Sequence, residues 1–374
     1  MNLHFAANFA AKRNELGVTQ EQIATYIGVS RAAVSKWEKG QSYPDITVLP
    51  KLATYFNMTI DTLLGYEPQL TEEKIIQLYK ELAIRFHNEP FSDVEKIIEA
   101  YIAEYYSCFP FLLKMAQLYL NYAPTSEDPK RIAARIETLC LRVQQSSTAF
   151  SIINEARMIG AIALLMQERP EELLEKFGAH VTVQLGEDQL ISQAYQMLGQ
   201  TDHAKSILQA STYQHIFLTI SNSTSSLLLT LDNLAQFEKI VLRTHSLIFD
   251  WAIQKLNTNI ALSFYLLAAT GYMQLQQPEK AMEMLKHYTK TCEQLRFPLQ
   301  LRGDDYFDLI EEWLTTTMQL STITPRDDAS VKRDLLATVT KNPVFTALHE
   351  LKDFQLLIAN LQHLIERKDT HGRD

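Results

Sequence analysis

Apolar and polar positions follow a helical period from the start of the chain. Phe5, Phe9 and Leu16, with alanines between them, form one apolar stripe and predict a buried face on a helix over Leu3–Leu16. Gly17 stops it, since glycine takes the left-handed conformation that closes a helix. Thr19-Gln20-Glu21-Gln22 reads as a T-x-x-Q capping box, in which hydroxyl and carboxamide satisfy free backbone donors. The second helix then runs to about Ile27 and buries Ile23, Ala24 and Ile27. Gly28 supplies a turn. Ser30 caps a third helix, Arg31–Lys39, which buries Val34 and Trp37 and ends at Gly40.

The spacing carries more than the helices do. Counted from Gln20, the small Ala24 is fifth, where two steeply crossing helices nearly touch, and Gly28 is ninth, in the turn. Val34 and Trp37 are fifteenth and eighteenth, on the inner face of the third helix. That order is a helix-turn-helix, whose second helix is held outward for a DNA groove.

Beyond it, Tyr66–Leu70 is a short break. Pro68 interrupts the helix, and Thr71-Glu72-Glu73 begins the next with a cap and first-turn acids. The expected division is 1–66, a linker at 67–70, and 71–374. Ile75, Leu78, Leu82 and Phe86, then Val94, Ile97, Ile98 and Tyr101, keep helical spacing. The Ala123–Pro129 segment and the breaks at 170, 178, 186, 278 and 298 read as loops. Ala194–Gln200 with Ala204 and Leu208 repeats as Gly271–Gln277 with Ala281 and Leu285, 77 residues later. Paired helices of this kind resemble tetratricopeptide (TPR) repeats, of which the usual length is ~34 residues.

Composition narrows the class. With 11 glycines and 12 prolines in 374 residues, long helices are favoured over a many-stranded fold. The scattered Cys108, Cys140 and Cys292 form neither a disulfide framework nor a zinc pair, and suit a reducing cytoplasm. No secretory signal opens the chain, and the charge-free stretches Ser206–Leu231 and Leu256–Pro278 hold too many polar residues to span a membrane. The net charge of −9 divides unevenly: residues 1–65 carry six basic and five acidic groups, leaving −10 for the remainder. A phosphate-binding surface needs local, not global, positive charge. Phosphate-loop, nucleophile-elbow, dinucleotide and zinc-protease motifs are absent, so no enzyme, metal or cofactor is expected.

Gly17-Val18-Thr19-Gln20, Val29–Gly40, Pro44-Asp45 and Ile60–Gly65 together resemble the Xre (Cro/CI-type) family across the first 65 residues. The resemblance implies a five-helix, lambda-repressor-like domain that binds double-stranded DNA operators as a homodimer. It also implies roles. Gln20 holds a phosphate and braces the recognition helix, while Arg31, Ala32, Ser35 and Lys36 face the bases. Arg31 would reach guanine O6 and N7, Ala32 a thymine methyl, and Lys39 a phosphate. Arg13 and Glu38 match a pair that locks the first helix to the third. Joined to an all-α, TPR-like superhelix, such a domain resembles the RRNPP peptide sensors of Gram-positive bacteria. That second resemblance implies a peptide or protein effector, with Asn154, Arg157, Gln193 and Asn259 as candidate contacts. The alternative is a TPR-type interaction scaffold whose DNA tethering is secondary.

Overall fold

The computed structural model describes residues 4–66, 69–181, 186–297, 299–317 and 328–366. Its regular elements are all helices. The chain divides into two compact units, Met1–Ala179 and His180–Asp374.

The first unit opens with α1 (Phe5–Glu15), α2 (Gln20–Ile27), α3 (Arg31–Glu38), α4 (Leu49–Phe56) and α5 (Ile60–Leu64). They enclose a core of their own from Phe5, Phe9, Ile23, Ala24, Ile27, Val34, Trp37, Leu52, Phe56 and Leu63. Aromatic rings make its centre: Phe9 meets Phe56 edge-on at 5.3 Å and Trp37 at 6.3 Å. The expected caps are in place. Thr19 and Gln22 form the reciprocal capping box, and the Ser30 hydroxyl accepts the Ala33 amide. One expectation fails: Leu16 is 46% exposed, whereas Phe5 and Phe9 are fully buried. Helix α1 ends one residue earlier, at Glu15, so the chain is already turning at Leu16 and the side chain leaves the stripe.

The same unit continues through α6 (Glu72–Asn88), α7 (Phe91–Glu104), α8 (Phe109–Tyr122), α9 (Pro129–Ser146), α10 (Phe150–Met166) and α11 (Pro170–Phe177). Thr71 caps α6 as its sequence predicts; Pro68 lies outside the described residues. Helix α8 buries most of its circumference, including Phe111, Leu112, Leu113, Met115, Leu118 and Tyr119. Carboxylates on α7 meet arginines on α9: Glu95 accepts both Nη1 and Nη2 of Arg131, at 2.6 and 2.7 Å. Glu99 pairs likewise with Arg135 and also accepts the Tyr119 hydroxyl at 2.9 Å. Burial beside that carboxylate holds the Tyr119 hydroxyl far above its ordinary pKa.

The second unit contains α12 (Glu187–Met197), α13 (Thr201–Leu228), α14 (Leu234–Asp250), α15 (Ile253–Leu256), α16 (Thr258–Gln274) and α17 (Pro278–Cys292). It closes with α18 (Glu311–Thr317), α19 (Asp328–Thr340) and α20 (Lys352–Glu366). Its core is separate, centred on Tyr213, Phe237, Phe264, Tyr265, Leu285 and Phe345.

Three helix pairs, α10–α11, α12–α13 and α16–α17, share one turn. The residue after each helix cap is left-handed: Glu168 at φ 58°, Gly199 at 72° and Gln276 at 56°. The next amide bonds back to the last helical turn, from Arg169 to Leu164 O (3.0 Å), Gln200 to Tyr195 O (2.9 Å) and Gln277 to Tyr272 O (2.8 Å). This is the Schellman closure, and it places the 77-residue sequence similarity on equivalent backbone. It also corrects the reading of Pro170 and Pro278 as loop breaks. Both occupy the first helical position, where the missing N–H has no partner to lose; Pro298 lies outside the described residues.

Only glycine takes this left-handed turn without steric cost. Gln276→Gly is therefore expected to stabilise the second unit by about 1 kcal/mol, raising its melting temperature by about 2–4 °C. Calorimetry of the full chain checks it, and a lowered melting temperature would show that the glutamine side chain contributes more than its backbone costs.

Candidate nucleic-acid interface

Helix α3 is two-sided. Val34 is fully buried and Trp37 is 5% exposed, so both pin its inner face to the aromatic core. On the other side Arg31, Ala32, Lys36 and Lys39 are exposed and Ser35 is half-buried. Among the described residues, none of the three cations has an ion-pair partner, whereas nearby Lys12 is held by Glu15 at 2.7 Å. The outer face thus offers two ammonium groups and a guanidinium uncommitted to protein carboxylates.

Position comes from the preceding turn. The Ala24 side chain is 2% exposed, and Gly28 caps α2 at φ 83°, ψ 37°. A Cβ at Gly28 would meet no neighbour, so what demands glycine here is the backbone conformation and not space.

Glu38 fixes the other end of α3. One carboxylate oxygen accepts Nε of Arg13 on α1, and the other accepts the Gln20 carboxamide of α2 at 2.6 Å. Arg13 Nη1 also donates to Val18 O at 2.8 Å, on the α1–α2 connection. One carboxylate therefore clamps three helices. Sequence reasoning proposes the Arg13–Glu38 pair and a bracing Gln20 separately; their common acceptor emerges only in three dimensions. The Gln20 NH₂ carries a second hydrogen, so bracing α3 and donating to a phosphate are compatible.

The α3–α4 connection holds features the sequence reading missed. Asp45 accepts the Thr47 hydroxyl at 2.6 Å and the Thr47 amide at 2.8 Å, bonds that hold its carboxyl below the usual range. Beside this turn Tyr43 is 56% and Ile46 is 77% exposed. The visible signal was an aromatic and a β-branched residue within a polar turn.

The candidate effector contacts are divided between the two units. Asn154 and Arg157 lie on α10 in the first unit, whereas Gln193 on α12 and Asn259 on α16 lie in the second. All four are exposed. Arg157 is engaged within its own helix pair, donating to Lys176 O at 3.1 Å with its guanidinium 4.3 Å from the Phe177 ring centre. An open groove of about 490 Å³ in the second unit is lined by residues including Leu301, Arg302, Asp304 and Asp308, and by none of those four. Among the described residues, no group of three or more His, Cys, Asp or Glu side chains could hold a metal ion. No described helix is long and apolar enough to cross a membrane.

Comparison with known proteins agrees with this geometry. The helix-turn-helix family model HTH_3 matches residues 9–63, from α1 into α5. The HTH-type transcriptional activator BcrR of Enterococcus faecalis is 39% identical over 69 residues, which are 18% of this chain and 34% of that protein. The chain thus spans about a third of the length of the curated relative it matches. No solved structure matches it. The N-terminal module is a helix-turn-helix domain of the Xre type.

Proposed function

We propose that the protein is a sequence-specific DNA-binding transcription regulator of the cytoplasm. Residues 1–66 bind the operator, 67–70 link, and the helices of 71–374 sense a partner or peptide and carry the dimer contacts. The observation that supports it best is the two-sided α3, with Val34 and Trp37 inward and the uncommitted Arg31, Lys36 and Lys39 outward. An eight-residue helix, roughly 12 Å long, enters a major groove and touches only a few base pairs. Two copies on a palindrome, with half-sites about one helical turn (roughly 34 Å) apart, give enough contacts for specificity.

Support for effector control is architectural. Helix pairs closed by one repeated turn support the reading of a TPR-like superhelix, which would offer extended surfaces for peptides or protein partners. Asn154, Gln193 and Asn259 have exposed side chains suited to a peptide backbone; Arg157 would first have to leave Lys176 O.

Selection of random duplexes on the purified full-length chain, followed by sequencing, tests the core of the reading. A palindromic consensus is expected, with affinity falling steeply as salt rises because phosphate contacts release counterions. Enrichment of no sequence, together with retention of a stable protein partner, would replace the regulator with an interaction scaffold.

A further inference from the structure

In the second unit, His245 on α14 and His287 on α17 lie ring to ring. Their centres are 4.4 Å apart, and both residues are half-buried. Tyr265 of α16 completes the cluster. Its ring stacks on His287 at 5.3 Å, and its hydroxyl is 3.1 Å from Nδ1 of His245. Three helices thus meet through three side chains.

The contact has a counterpart two helical turns earlier, where Lys280 of α17 donates to Glu238 of α14. Each of the two rungs joins residues 42 apart in sequence, and on each helix the rungs are seven residues apart. Helices α14 and α17 therefore run side by side in the same direction. The earlier rung is an ion pair. The later one joins two bases, which pack as rings while neutral and repel once both hold a proton.

We infer that the His245–His287 contact is an acid-operated release, which holds α14 against α17 while both rings are neutral and loosens the second unit as they take up protons. The surroundings favour the neutral pair. Burial and His245 hold the His287 imidazole below its ordinary range; on α17 the exposed Glu283 opposes that shift and the exposed Lys290 adds to it. Among the described residues no carboxylate forms an ion pair with either ring. On the neighbouring helices, α13 brings no Asp, Glu, Lys or Arg from Ser206 to Leu228, and Lys255 on α15 is exposed. Asp353 of α20 is engaged by Lys286 at 3.7 Å. Burial pushes the Tyr265 hydroxyl up to about 12, so it keeps its hydrogen, and donating that hydrogen to Nδ1 requires a neutral His245.

The direction of the effect follows. An unfolded histidine titrates near 6.5, so below about pH 6.5 the unfolded chain binds protons that the folded pair resists. Stability is complete above that pH and falls below it, until His287 is protonated within the fold.

Between about pH 7.5 and about pH 5.5, the melting temperature of the full chain is expected to fall by about 2–4 °C more than that of His287→Phe. Phenylalanine keeps a ring against Tyr265 and His245 but takes no proton. A second readout needs no variant to fold. Followed by NMR on the wild-type chain, the carbon-bound ring protons of His245 and His287 should titrate as a coupled pair, in two steps. In His287→Phe, or in His287→Gln if the first variant does not fold, His245 should titrate in one. Independent single-step titrations in the wild type, or a pH dependence of melting that survives the loss of His287, overturn the inference. Neither readout involves DNA, so the release stands or falls apart from the regulator.

Discussion

Arg31→Ala is expected to flatten the sequence preference of the protein while sparing much of its attraction to DNA in general. Arg31 begins α3 on the exposed side, with no carboxylate among the described residues holding its guanidinium. Two parallel N–H donors match the O6 and N7 acceptors of guanine, and such a pair discriminates by about 1–3 kcal/mol. Per half-site that is roughly a 5- to 150-fold loss of operator affinity, and a symmetric dimer suffers it twice. Unrelated duplex, held by phosphate contacts alone, should lose far less. Lys39 follows the last residue of α3, the position expected to contact a phosphate, and its ammonium is a point charge. Lys39→Ala should weaken operator and scrambled duplex alike and lower the salt slope by about one counterion per copy. Anisotropy titrations of both variants against both duplexes, at several salt concentrations, separate the roles. If each variant weakens each duplex by the same factor, Arg31 reads no base.

What was legible in the sequence follows from how far apart the interacting groups lie along the chain. The Thr19–Gln22 box, the Ser30 cap and the turn at Gly28 each join residues within one helical turn, and each can be read from residue types alone. Val34 and Trp37 were equally plain, because the inner face of an eight-residue helix leaves little choice. Glu38 was only half visible. Its partners are 25 and 18 residues away, and their convergence on one carboxylate depends on how three helices cross.

The misreadings have physical causes. Leu16 kept the spacing of its stripe, but periodicity does not register that the helix has ended. Pro170 and Pro278 looked like interruptions because proline breaks helices from within, yet the same locked φ starts them. Gln276 carried no sign of its left-handed backbone except the alignment with Gly199, 77 residues earlier. The effector contacts rested on a resemblance, on residue type and on a place in the first helix of a repeat, none of which says anything about local partners; Arg157, stacked on Phe177, shows how much that omits.

Trp37→Ala is expected to unfold the DNA-binding module and leave the rest of the chain folded. The indole is 5% exposed and meets the edge of Phe9, which in turn contacts Phe5 and Phe56. One side chain thus joins the recognition helix to α1 and, through Phe9, to α4. Truncating a buried tryptophan costs about 3–5 kcal/mol, from lost burial and the cavity that remains. At roughly 0.05–0.15 kcal/mol per residue, a module of this size has stability of that order in total. The second unit draws on a core that shares no residue with it, built around Tyr213, Phe237 and Phe264, and so keeps its own stability. Hydrogen exchange distinguishes the two. Amides of α1–α5 should lose protection in the variant, those of α14, α16 and α17 should keep it, and operator binding should disappear. Uniform loss of protection across the chain would mean that the two cores fold as one. Unchanged protection of α3 would mean that Phe9, Val34 and Leu52 hold the recognition helix without the indole.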